Sequence, residues 1–362
     1  MTSTTTQLIL KSGISLYSGL RPNEFFIGTL RTRMAIYGAS APAIYAALKR
    51  GVGGAEIATS YSLSAGELAD LVGELNQFEF IETQASAIQI SERANKASDH
   101  SKDGSYTQIK NRIAPELTVA RWLPGVYDSG ISKVSARQSA HIEISGHSRS
   151  AQHLYATLIA SGVTHTQFAT SFRRGAELIS DQDLTGGYIS AADIGQSFKA
   201  VSAENSKSLT LFPFPKVESA EELPINFMEK ILKIHFGEID PVIQALWMAS
   251  GQEHLIVSEI SGGQLTISPI VKPGVSPCSR CCALTIADQC GATLLEGAPT
   301  RDELPIAGAN YLAGLLASEL IKLIDTGSCT LTYQAISIDL LDLCNTKHIA
   351  IGRHPMCGCG WR

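Results

Sequence analysis

All eight cysteines of this 362-residue chain lie beyond residue 277. Four form two tight pairs, Cys278 and Cys281 in PCSRCC and Cys357 and Cys359 in HPMCGCGWR. Chain ends ordinarily fray, so two thiols one residue apart near the last positions point to an end that something holds. Two local pairs of thiolates are what a closed tetrahedral zinc site of four cysteines requires, here a C-x-x-C on a loop and a C-x-C at the tail. Such a site leaves no open position for water or substrate, so its zinc is structural and pins the tail to the 278–281 loop. Cys282 competes with Cys281, while Cys290, Cys329 and Cys344 read as ordinary buried cysteines. His354 is a fifth candidate ligand, although Pro355 beside it marks a turn more simply.

Composition narrows the rest. Hydrophobic residues make up 44% and charged residues 17% of a chain with net charge -5, which supports a sizeable core and no general attraction to nucleic acid or anionic lipid. The opening MTSTTTQLILKSG lacks a charged segment followed by a long apolar run, and no eighteen apolar residues stand together. The expectation is a cytoplasmic protein without a membrane span, where thiols stay reduced or bind metal.

Two or three domains are expected from the length. Residues 1–90 read as a small helical unit ending in a hairpin. Ser64 and Glu67 in SAGE have capping-box spacing ahead of Leu68, Leu71, Val72 and Leu75. AEIATSYS from Ala55 reads as another short helix, and FEFIETQASAIQI as two strands around a turn. Helix, helix and hairpin make a winged helix-turn-helix. Its would-be recognition helix carries Glu67, Asp70 and Glu74 and no Lys or Arg, which argues against DNA and leaves a packing domain or a reader of extended peptides. The polar run 91–112 reads as a linker.

The body, residues 113–362, opens with HIEISG from His141, the helix AQHLYATLIASGV and the strand TQFATSF, a β-α-β unit. FPFPKVESAEELP reads as a loop. EKILKIHFGEI, PVIQALWMASG and HLIVSEISGGQLTI then read as strand, helix and two strands, and ANYLAGLLASELIKLID as a buried last helix. A dinucleotide or ATP turn after the first strand would read G-x-G-x-x-G. Here it reads Gly146-His147-Ser148-Arg149-Ser150-Ala151, with only the first glycine kept. Asp181 or Asp183 could end the second strand against a ribose hydroxyl, and Lys199 could meet a phosphate; solvated turn residues are the alternative.

Taken with VKPGVSPCSRCC, HPMCGCGW and SAADIGQSFKA, these residues resemble the ThiF-like (E1-like) adenylating fold. The likeness is closer to its variant in thiazole/oxazole-modified (TOMM) bacteriocin-type peptide biosynthesis, the leader-peptide-binding partner of a cyclodehydratase. The amino-terminal unit is similar to a PqqD-like recognition element. The resemblance implies an α/β protein with a winged-helix peptide-recognition domain and a ThiF/E1-like Rossmann-type domain carrying structural Zn2+ on Cys278, Cys281, Cys357 and Cys359.

It further implies that the chain binds the leader of a ribosomal precursor peptide and presents its core to a YcaO-type cyclodehydratase, as a homodimer. The peptide clamp is expected at Phe25, Ile27, Leu30, Arg31, Arg33, Leu68 and Leu71. Gly146, Asp183, Lys199 and Asp240 fall where active relatives bind MgATP. The missing glycines, the stretch DLTGGYIS in place of the expected Asn and Arg, the extra residue before Lys199 and IDPV around Asp240 argue against ATP chemistry here. The alternative is an autonomous E1-like enzyme that activates a peptide carboxylate or amide with MgATP. A zinc-stapled dehydrogenase would need an intact glycine turn.

Overall fold

The computed structural model describes residues 7–82, 104–146, 148–169, 178–212, 231–258, 260, 262–291 and 304–359. They form two compact units, the first from residues 1–89 and 106–135 and the second from 90–105 and 136–362. Among the described residues no helix is long and apolar enough to cross a membrane.

In the first unit, β1 (Ile9–Leu10) precedes β2 (Ser15–Ser18), β3 (Glu24–Gly28) and β4 (Arg33–Tyr37), and the last three form an antiparallel sheet with β3 in the middle. Three helices follow, α1 (Ala41–Arg50), α2 (Gly54–Tyr61) and α3 (Ala65–Gln77). The capping box expected at α3 is present: Glu67 N–H donates to Ser64 Oγ at 3.2 Å and Ser64 N–H donates to Glu67 Oε2 at 2.8 Å. These bonds to Ser64 hold the Glu67 carboxyl below its ordinary range. Leu8, Leu10, Ile27, Met34, Leu48, Ile57, Leu75 and Phe80 make the core of this unit.

Of the hairpin expected over residues 78–90, residues 78–82 are described. Phe78 caps α3, Glu79 turns the chain at φ +53, and among the described residues of this stretch strand is confined to Ile81–Glu82 (β5), paired antiparallel with β1. The rest of that stretch lies outside the described residues, as does 91–103 of the expected linker. From Gly104 the chain is already helical, in α4 (Gly104–Ala120), followed by α5 (Ile131–Ala136).

Residues 106–135 belong to the first unit and not to the body. The reason lies around Lys11, 2% exposed, whose Nζ sits 5.7 Å from the Trp122 ring centroid and 5.6 Å from that of Tyr127. Beside it Ser129 Oγ donates to Glu82 Oε2 at 2.7 Å, and Gly125 N–H donates to Glu79 Oε1 at 3.1 Å. Burial pulls the Lys11 pKa down against the pull of Glu79 and Glu82.

The second unit is built on a seven-stranded sheet. In chain order its strands are β6 (His141–Ser145), β7 (His165–Phe168), β8 (Ile231–Phe236), β9 (His254–Val257), β10 (Gln264–Ile267), β11 (Gln334–Asp339) and β12 (Lys347–Ala350), and in space they run β12-β11-β10-β9-β8-β6-β7. The β7-β6-β8-β9 pairs are parallel and the remainder antiparallel. The helices are α6 (Arg149–Ala160), α7 (Phe198–Leu209), α8 (Pro241–Ala249), α9 (Ser279–Cys290) and α10 (Ile306–Thr326). The β6-α6-β7 unit is the one expected from the sequence. Its core joins Ile142 and Ile144 of β6, Ile234 and Phe236 of β8 and Leu255 and Val257 of β9 to Leu154 and Leu158 of α6 and Leu312, Leu316 and Leu320 of α10. Because the chain moves from β6 to β7 on one side and then to β8 on the other, the strand order reverses between β6 and β8. The ends of these two strands are where open α/β sheets place ligands.

Candidate functional site

Four cysteines form a closed candidate metal centre. Cys278 is the N-cap of α9 and Cys281 lies in its first turn, so the C-x-x-C starts a helix; the expected loop ends one residue earlier. A helix beginning between the two positions turns both thiols to one side. Two residues of the tail complete the group. Cys278 Sγ lies 3.2 Å from Cys357 Sγ, Cys281 Sγ lies 3.4 Å from Cys359 Sγ, Cys278 Sγ lies 3.8 Å from Cys281 Sγ, and all four sulfurs fall within 4.8 Å of one another. Zinc–sulfur bonds of about 2.3 Å place tetrahedral sulfurs about 3.8 Å apart, so the donor set fits a zinc ion in size and chemistry.

The surroundings favour thiolate at Cys281. Burial opposes its ionisation, but the backbone N–H of His354, 3.3 Å from the sulfur, and the bonds from Cys278, Cys359 and Cys357 bring its pKa down to about 7. Burial pushes the Cys278 and Cys359 thiols up, and Cys282 up to about 11. His354 is not a ligand: Nδ1 accepts the Met356 N–H at 3.1 Å and Nε2 meets Asp288 Oδ2 at 2.9 Å. Cys329 is buried as expected, whereas Cys290 and Cys344 are exposed. Cys290 closes α9 and Cys344 lies on a turn.

At the strand ends, Gly146 directly follows β6 with φ +86, and a Cβ there would stand 2.0 Å from Phe236 O of β8. The glycine is therefore fixed by a close approach of two backbones. Ser148 caps α6, its Oγ accepting from Ala151 N–H at 3.1 Å. Asp240 caps α8 through Val242 N–H at 2.8 Å, near the end of β8. Gly146 and Asp240 thus flank the β6–β8 switch point.

Asp183 stands elsewhere. β7 ends at Phe168, and Asp183 Oδ2 accepts from Ser180 N–H at 2.8 Å and Ser180 Oγ at 2.7 Å in a short 3₁₀ turn. The sequence contained a local capping signal where a strand end was expected. Arg149 of α6 donates to Gln182 O and, at 3.3 Å, to Leu304 O, which ties this turn to the start of α6. Lys199 is exposed in the first turn of α7. Sequence reasoning missed a pair at the strand ends, the register partners Ser145 and His235. Ser145 Oγ meets His235 Nδ1 at 2.9 Å, and His235 Nε2 meets Glu238 O at 3.0 Å. Neither residue belongs to a local motif, so no sequence signal marked them.

The residues expected to bind peptide divide. Phe25 and Ile27 lie on β3, whose backbone is paired on both sides by β2 and β4, so β3 cannot accept another strand. The open edges are β2 and β4. Thr29 N–H donates to Thr32 O at 2.8 Å and Gly38 N–H donates to Asn23 O at 2.9 Å. With Ile27 opposite Met34 and Phe25 opposite Ile36, antiparallel alternation turns Met34 and Ile36 toward β3 and leaves the N–H and C=O groups of Arg33, Ala35 and Tyr37 facing outward.

Leu30 and Arg31 form the exposed tip of the β3–β4 hairpin. The Arg33 guanidinium stacks 4.6 Å over the Tyr17 ring and donates to Thr29 O at 3.0 Å and Leu30 O at 3.3 Å. Leu68 and Leu71 are half-buried on α3, a helix in which Leu75 alone is fully buried.

No protein-family model and no curated protein sequence matches the chain. Solved structures do. E. coli MccB with ATP is 13% identical, with 97% of this chain and 98% of that chain covered and a TM-score of 0.61. The microcin C7 biosynthetic enzyme MccB in complex with N-formylated MccA is 14% identical, with 97% of this chain and 99% of that chain covered and a TM-score of 0.61. A heterocyclase in complex with substrate and cofactor is 14% identical at a TM-score of 0.50, covering 98% of this chain and 39% of that one. The likeness establishes the fold, the mixed α/β ThiF/E1-like architecture expected from the sequence.

Proposed function

We propose that this chain is the peptide-binding subunit of a ribosomal-peptide modification system. Its first unit captures a leader peptide as an added strand, and its second unit presents the core peptide to a separate YcaO-type cyclodehydratase. The observation that carries this reading is the outer edge of β4, where Arg33, Ala35 and Tyr37 direct three successive pairs of backbone groups outward with no partner strand among the described residues. The outer edge of β2 offers Leu16 and Ser18 by the same alternation, one residue fewer. Strand addition supplies affinity through main-chain bonds and specificity through alternate side chains. Arg33 and Arg31 beside the edge favour acidic leader residues, and the half-buried stripe of α3 favours apolar ones. MccB, which shares the fold, has been solved with the peptide MccA.

In this reading the partner enzyme activates a backbone amide with ATP, and a Cys, Ser or Thr side chain closes an azoline ring with loss of water. The present chain contributes proximity: a tethered leader holds the core at an effective concentration of roughly millimolar. Zn2+ on the four cysteines supplies structural anchoring.

A second reading, an autonomous E1-like enzyme acting with MgATP, is favoured by Gly146 and Asp240 flanking the switch point and by the ATP in the MccB structure. Against it, the Asp183 and Asp240 carboxylates are already engaged as local caps and Lys199 is on an exposed helix face.

Two titrations of the purified chain separate the readings. A phage-displayed library of 20-residue peptides is selected on the intact protein, and the best binder is titrated into wild type and Ala35→Pro. Proline at 35 removes an outward N–H and leaves the inner ladder intact, so loss of binding with an unchanged circular dichroism spectrum is expected. Equal binding by both proteins would reject the β4 edge. Saturable heat from MgATP alone would move the assignment to the second reading.

A further inference from the structure

We infer that the metal centre is also an oxidation-responsive latch: peroxide ejects the zinc and replaces it by two cross-tail disulfides, Cys278–Cys357 and Cys281–Cys359. The inference rests on the zinc reading above and goes beyond it in saying what the site becomes without metal.

Four thiols can pair in three ways, and the sulfur positions favour one. Two sulfur pairs join the α9 end to the tail at 3.2 Å and 3.4 Å, whereas the local Cys278–Cys281 pair stands at 3.8 Å. The other local pair would have to close across Gly358 alone, far from ordinary disulfide geometry. The cross-tail pairs join positions 79 and 78 residues apart, so the tail stays fastened when the metal leaves. Local pairs would instead release it.

The chemistry starts at Cys359, half-buried, because Cys357, Cys278 and Cys281 are 9%, 5% and 0% exposed. Its thiolate attacks hydrogen peroxide; an S–O bond forms, the O–O bond breaks and hydroxide leaves, giving a sulfenic acid. Cys281 thiolate, 3.4 Å away, attacks that sulfur; an S–S bond forms, the S–O bond breaks and a second hydroxide leaves. With two of four thiolates gone the coordination collapses and Zn2+ is released. Cys278 and Cys357 repeat both steps with a second peroxide. In sum, four thiolates, two peroxides and four protons give two disulfides and four waters.

The test uses the full chain as purified. Zinc content is measured first, hydrogen peroxide is added while a chromophoric chelator follows free zinc, and the non-reduced digest is mapped by mass spectrometry. The latch predicts one zinc released per chain in step with the loss of four thiols, cross-linked peptides Cys278–Cys357 and Cys281–Cys359, and restoration of zinc binding by dithiothreitol. Zinc retained while the exposed Cys290 and Cys344 oxidise would overturn the latch and leave the zinc reading standing, as would release with Cys278–Cys281 as the disulfide found. A chain that carries no zinc before peroxide and takes up none would overturn the zinc reading itself.

Discussion

Arg137 and Asp325 form a bidentate ion pair inside the second unit: Nε lies 3.0 Å from Oδ1 and Nη2 lies 2.8 Å from Oδ2, with both side chains under 5% exposed. The third arm of the guanidinium donates to Ser161 O at 3.0 Å, just past α6. One side chain thus fastens the entry to β6, the end of α6 and the last turn of α10. Desolvation costs such a pair much of its Coulomb energy, but breaking it by removing one partner leaves an uncompensated buried charge. Asp325→Ala is expected to lower unfolding free energy by about 3–5 kcal/mol. The double change Arg137→Met with Asp325→Leu should lose clearly less. Urea unfolding of the two variants measures this, and equal losses would contradict the desolvation account.

Gly146 permits a narrower prediction. Alanine there meets a carbonyl oxygen at 2.0 Å and needs φ +86. Gly146→Ala should therefore destabilise by about 2–4 kcal/mol, more than the φ penalty alone. Gly195, with φ +82 and no atom within 4 Å of its added Cβ, is the control: its alanine variant should lose only about 1 kcal/mol. Thermal unfolding of both variants separates contact from backbone strain.

The legible parts of this fold are those with local chemistry. Ser64 and Glu67 announce α3 because a capping box is complete within four residues, and the β6-α6-β7 unit is carried by a periodicity that changes within one stretch. The four cysteines are legible as a set because metal coordination allows few spacings. What escaped notice depends on distant partners. A strand is expected around Phe25, but its partners β2 and β4 are four and five residues long and owe their order to β3. Nothing near Trp122 or Tyr127 discloses that Lys11 lies between their rings. The Cys278 helix was hidden because SRCCALTIADQC has little apolar periodicity; only its neighbours show which side is inside. Ser145 and His235 meet because parallel register makes them partners, ninety positions apart.

Buried His254 and half-buried His153 give the stability a definite pH slope. Burial lowers the pKa of His254 and, with Arg149 nearby, of His153 below the ordinary 6.5. In the unfolded chain both titrate near 6.5, so below that pH the unfolded state binds protons that the folded state refuses. Stability is therefore full above about pH 6.5 and falls as the pH drops toward the folded values, by at most about 1.4 kcal/mol per pH unit for each histidine. Replacing His254 by Leu should flatten the slope just below pH 6.5. Urea midpoints across the range test it, and an unchanged slope would exclude His254 as a source.

Removal of the metal should be felt first at the tail. The described residues from Gly352 onward meet the rest of the second unit through Cys357 and Cys359 at the candidate zinc site, through the Arg353 guanidinium on Gly274 O and Val275 O at 2.6 and 3.2 Å, and through His354 on Cys281 and Asp288. The Arg353 bonds are exposed, and such bonds contribute little in water. Structural zinc contributes free energy on the scale of folding itself, so its loss weakens every tail contact together. Chelation with a strong zinc ligand under reducing conditions should accelerate tryptic cleavage after Arg353 by roughly tenfold or more, while cleavage after Lys49 and Arg50 in the first unit keeps its rate. Cys281→Ser should show the fast cleavage before any chelator is added. If both cleavage rates rise together, the metal supports the whole chain and not the tail.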